Sequence, residues 1–138
     1  MTDGLDMLIH WMSLLYEVNC GVTESAEKLR GIRTGELKTG IPVQMITDSR
    51  SLYDALSAEH VKQPSEKNLH MHLLWIRELL DRHIISKLIW VDTRDMVADG
   101  LTKGCISRSA ILDLLSNARW KPENPVVTWQ STIKKATI

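Results

Sequence analysis

The chain has 138 residues, 43% of them hydrophobic, and its seventeen basic and seventeen acidic side chains give a formal net charge of zero. That length suits one small domain able to bury a core, and the even charge balance excludes a free-standing basic nucleic-acid binder, so any nucleic-acid contact must be local. Cys20 and Cys105 form neither a disulfide framework nor a C-x-x-C metal pair, no signal-peptide pattern opens the chain, and no apolar run approaches membrane-span length. These features predict a soluble, intracellular protein, cytoplasmic or nuclear, with reduced thiols and no membrane partner.

Residues 3–18 carry Leu5, Leu8, Ile9, Met12, Leu15 and Tyr16 at helical spacing and predict an amphipathic helix, with Thr2 or Asp3 as its cap. Residues 22–40 mix charges with glycines and read as a connector, with room for a short helix over 25–30 capped by Thr23 or Ser25. Residues 41–56, IPVQMITDSRSLYDAL, change period in the middle. Val43, Met45 and Ile46 suit a buried strand over about 41–47, and Pro42 is tolerated at its start. Leu52, Ala55 and Leu56 then fall at i, i+3, i+4, so a helix over about 49–57 follows, with Asp48 or Ser49 as N-cap.

Residues 58–64 form a loop, and residues 65–83 give the clearest helix. Leu69, Leu73, Ile76 and Leu80 make its stripe, while Arg77, Glu78, Asp81 and Arg82 are expected to face outward. A second short apolar run, Leu88 to Val91, predicts a strand over about 87–92. Thr93 then caps a helix over about 95–103 with Met96, Val97 and Leu101 on its apolar side. A last helix over about 107–119 would bury Ala110, Ile111, Leu114, Leu115 and Ala118, with Trp120 closing off that face. Residues 121–138, interrupted by Pro122 and Pro125, are expected to be an extended or disordered tail outside a domain of residues 1–120.

The 65–83 helix is long enough to cross between two parallel strands. Such a pair exits on one sheet edge, the edge where ligands collect in open α/β sheets, and this makes Asp48 and Asp99 candidates for chemistry. Two carboxylates converging there repel unless a proton or cation lies between them, and hard divalent ions such as Mg²⁺ suit oxygen ligands. The plainer alternative leaves Asp48 as a helix cap and Asp99 as a solvated residue near a helix start. Arg50, Lys103 and Arg108 flank the same region and could touch phosphates, although solvated surface is the commoner fate of such residues.

Thr47-Asp48-Ser49-Arg50-Ser51-Leu52, Leu79-Leu80-Asp81-Arg82 and Trp90-Val91-Asp92-Thr93, followed by Val97-Ala98-Asp99-Gly100-Leu101-Thr102-Lys103, resemble the ribonuclease H domain of copia-type retrotransposon polyproteins. The paired strings stand about fifty residues apart, and the resemblance covers residues 1 to about 120. It implies a truncated ribonuclease H-like α/β fold with two parallel strands and three to five helices. It also implies that Asp48 and Asp99 are two of four acids holding two Mg²⁺ ions for hydrolysis of the RNA strand of an RNA-DNA hybrid. The family's first aspartate, its glutamate and its three opening strands have no counterpart here, and His72 stands where an acid is frequent. The expected partners are therefore an RNA-DNA hybrid and a preceding segment or reverse transcriptase domain of the same polyprotein. Activity is not expected of the isolated chain, and two strands with so little sheet predict marginal stability or self-association. The alternatives are a catalytically dead retrotransposon-derived remnant that serves as a packing or interaction module, and an unrelated helical binding domain whose two apolar runs do not pair.

Overall fold

Strand β1 (Gln44–Thr47) and strand β2 (Lys87–Trp90) pair in parallel, with Gln44 opposite Lys87 and Thr47 opposite Trp90. The computed structural model describes residues 2–21, 26–34, 36–37, 40–105 and 107–133. The capping side chains expected of Thr2, Asp3, Thr23 and Ser25, the Cys20 thiol and residues 134–138 lie outside what is described. Pro42 has no N–H to give, and the β1 ladder begins two residues after it. Ser86 extends the pairing by donating from both its amide and its hydroxyl to the Val43 carbonyl, at 2.8 and 2.6 Å.

The crossover runs through two helices, α3 (Arg50–Ser57) and α4 (Lys67–Asp81). Leu73, Ile76, Leu79 and Leu80 bury the α4 stripe from its second turn onward, whereas Leu69 remains 42% exposed. Tyr53 and Leu56 of α3 join them above Leu88, which is fully buried. Helix α1 (Thr2–Cys20) adds Leu5, Ile9 and Met12 to the same core, and α2 (Ala26–Thr34) adds Ile32. An Asp6–Arg33 ion pair at 3.1 Å links these two helices at the surface.

The sheet has a third strand that the sequence did not suggest. Within the segment expected to be a tail, β3 (Val127–Trp129) lies antiparallel to β2, giving the order β1-β2-β3 with β2 in the centre. The fold is therefore mixed α/β with six α-helices and a three-stranded mixed sheet among the described residues, not a two-stranded one. Two further expectations fail near it. Arg77 and Asp81 do not face outward: their side chains are only 15% and 25% exposed and pair with each other at 3.2 Å. Arg77 also donates to the carbonyls of Leu56, at 2.9 Å, and Ala58, and its guanidinium lies 4.8 Å from the Trp129 ring centroid. Asp81 accepts from the Ser131 hydroxyl at 2.6 Å.

Beyond β2 the expected helix over 95–103 is two shorter pieces, a 3-10 helix (Thr93–Asp95) and α5 (Asp99–Thr102). Asp92, not Thr93, caps the first piece by accepting from the Arg94 amide at 2.9 Å. The last helix, α6 (Ser109–Asn117), buries none of its residues, so the expected buried face is wrong; Leu115 is 77% exposed. Ile111 reaches inward to α5, where a Cβ on the buried Gly100 would come within 2.8 Å of its Cδ1. Ala118 ends α6 in the left-handed region, at φ 53°, a position that usually favours glycine.

Candidate functional site

Parallel pairing sends the chain off the sheet on the same edge after Thr47 and after Trp90. Asp48 is the first residue beyond β1, and its neighbours hold the turn. The Thr47 hydroxyl accepts from the Ser49 amide at 3.1 Å, and the Ser49 hydroxyl accepts from the Leu52 amide at 3.3 Å, so Ser49 takes the capping role. This leaves the half-buried Asp48 free of that duty. Its backbone carbonyl accepts the indole N–H of Trp90 at 3.1 Å, which ties the turn after β1 to the last residue of β2. Among the described residues no hydrogen bond or ion pair engages the Asp48 carboxylate.

Asp99 opens α5, and its surroundings differ. Its Oδ2 meets the Lys103 ammonium one turn later at 3.1 Å, and its side chain is 16% exposed. Arg108 lies close by and reaches the Gly100 carbonyl through Nε at 3.4 Å. Arg50 pairs with Asp54 at 3.1 Å and holds its guanidinium 5.3 Å from the Tyr53 ring centroid and 5.4 Å from that of Trp90. The chain order thus sets Asp48, Arg50, Asp99, Lys103 and Arg108 after the two parallel strands, yet no ion pair or hydrogen bond joins Asp48 to Asp99 among the described residues.

Sequence reasoning passes over three further charged groups of this region. Both oxygens of Asp92 are taken by Arg94, from Nε at 2.9 Å and Nη2 at 3.0 Å. The Arg94 side chain and then its amide stabilise the ionised form, holding the Asp92 carboxyl down to about 2 from an ordinary 3.8. Asp95 accepts from the backbone amides of Asn124 at 2.9 Å and Glu123 at 3.2 Å. The Asn124 amide is the main cause of its lowered pKa. A signal for the first pair is present, since an aspartate directly after an apolar strand and before Thr-Arg-Asp is a good cap. Nothing local announces that Asp95 receives a segment almost thirty residues later.

The electrostatics of this edge are accordingly divided. Asp92, Asp95 and Asp99 each have their charge answered by a cation or by amides, and Asp48 keeps an oxygen-donor side chain open to a ligand. Two carboxylates, one of them neutralised by lysine, do not complete a two-ion Mg²⁺ site. Among the described residues no group of three or more histidine, cysteine, aspartate or glutamate side chains could hold a metal ion. Cys105 is free and exposed. Among the described residues no helix is long and apolar enough to cross a membrane.

Compared with protein-family models, with curated proteins and with solved structures, the chain matches none of them.

Proposed function

We propose that the chain is the carboxyl-terminal part of a ribonuclease H-like nuclease of the copia-type retrotransposon class, whose substrate is the RNA strand of an RNA-DNA hybrid. One observation carries the reading: β1 and β2 pair in parallel with Thr47 opposite Trp90, so the T-D-S-R and A-D-G-L-T-K strings both follow strands that leave one sheet edge. In this reading Asp48 and Asp99 would hold Mg²⁺ together with acids contributed from outside these residues, and Arg50, Lys103 and Arg108 would meet phosphates. Asp99 would exchange its contact with Lys103 for the ion. The described residues do not complete the metal set, and the 138-residue chain alone is expected to leave a hybrid uncut.

A second reading, a catalytically dead remnant that serves as a packing or interaction module, is favoured by the Lys103–Asp99 pair and by the apolar surface left open on α1 and α6. A cleavage assay with Mg²⁺ on a labelled RNA-DNA hybrid separates the two. The chain is assayed alone and again joined to the reading frame that precedes it. The nuclease reading expects cleavage only in the extended protein, lost in Asp48→Asn and in Asp99→Asn. Cleavage that survives Asp48→Asn rejects the metal role, and an extended, folded protein without activity favours the remnant.

A further inference from the structure

Helix α1 carries apolar side chains well beyond the face it buries. Leu5, Ile9 and Met12 turn into the core, while Met7 (61% exposed), Trp11 (56%), Leu14 (44%), Leu15 (43%) and Val18 (74%) turn away from it. At about 100° per residue these five fall within a stripe roughly 100° wide, centred about 140° round the helix from the buried residues. A contiguous exposed apolar stripe of this size marks a surface made to be covered. Met7, Trp11, Leu14 and Val18 are spaced four, three and four residues apart, the rhythm of a coiled-coil seam, with Leu15 beside them. Of the other exposed leucines, Leu69 and Leu74 lie on α4, Leu101 on α5 and Leu112 and Leu115 on α6, and none of these sets extends over even one heptad.

We propose that this outer face of α1 is the interface of an antiparallel, two-fold dimer of the chain. The sequence of the stripe is what selects a second copy as the occupant. A two-fold axis set midway between Trp11 and Leu14 places Met7 opposite the partner copy's residue 18 and Trp11 opposite its residue 14, and the reverse. Each layer then joins one larger and one smaller side chain, the isologous match that two-fold symmetry requires. The same arrangement opposes the two helix dipoles, and a net charge of zero brings no repulsion between copies. A tryptophan alone contributes on the order of 150–250 Å² when fully buried, so the partly exposed stripe offers roughly 500 Å² per copy. The pair buries on the order of 1,000 Å², the size at which a specific contact begins. The proposal uses no residue of the strand edge and rests on the same open face of α1 that favours the second reading above.

Sedimentation equilibrium of the full chain over a range of concentrations tests it. A reversible dimer of twice 15.7 kDa is expected, with a dissociation constant raised about tenfold or more by Trp11→Glu or Val18→Glu. Circular dichroism establishes that each variant is folded, and Val18, the most exposed of the five, serves if Trp11→Glu is not. The pairing direction is read from two double variants. Met7→Glu with Val18→Lys sets opposite charges across an antiparallel seam and is expected to dimerise more tightly than Met7→Glu with Val18→Glu. A chain that stays monomeric at every concentration, as it would if α1 were covered by some other segment or partner, overturns the proposal. So does a dimer indifferent to Val18→Glu, and so does a pair of double variants with equal affinity.

Discussion

Arg77 shows how far one side chain can depart from what its neighbours in sequence suggest. It sits three residues before Leu80 on a helix surface that reads as charged, yet it is largely covered and joins α3, α4 and β3 through the Leu56 and Ala58 carbonyls, Asp81 and the Trp129 ring. Arg77→Met withdraws the donor from the Leu56 and Ala58 carbonyls and leaves Asp81 with the Ser131 hydroxyl but no cation, so unfolding in urea should show a loss of about 2–3 kcal/mol. Arg77→Lys keeps the charge without the planar fork and should recover only part of that loss. Asp92 makes a different prediction. Its folded pKa, about 2, lies below its ordinary 3.8, so its contribution to stability is fully present above 3.8 and fades as pH falls toward 2. In Arg94→Ala the Asp92 carboxyl should titrate higher than in the parent but still below 3.8, because the residue-94 amide goes on donating to it; carbon-detected NMR of the Asp92 side chain can follow the rise, and this part of the acid sensitivity should shrink.

Among the elements, β1, α3, α4 and β2 are legible because each carries its own period. An apolar run bounded by polar residues marks the strands, and leucines at i, i+3 and i+4 mark the helices. Asp48 is legible as a candidate for the same reason, since it ends a strand. The third strand is not. Val126 and Val127 are 40% and 38% exposed, so β3 shows no inward alternation, and it is held by groups far away in the chain. Ser131 reaches Asp81, and His83, at φ 58°, contacts the Ile133 carbonyl through Nε2 at 2.7 Å. The apolar period of α6 misleads in the opposite sense, because periodicity reports that a face is apolar and not that anything covers it. Ser131→Ala should lower stability by about 1 kcal/mol. In hydrogen exchange the amides of β3 should lose protection in that variant while those of β1 keep theirs.

For the molecule as a whole, the open stripe on α1 couples folding to self-contact, and the thermal midpoint should rise with protein concentration, by mass action, in the parent chain but not in Val18→Glu. The order β1-β2-β3 has a further effect, on the timing of synthesis. The middle strand is complete at Trp90, but the residue that flanks Leu88 on one side, Trp129, is made only later. Until that stretch has left the ribosome and paired, β2 keeps one edge of unpaired N–H and C=O groups, able to add any extended segment that passes. A released chain that ends before Val127 should therefore be a better substrate for chaperones than the finished one, and the third strand acts as the stopper that closes that edge.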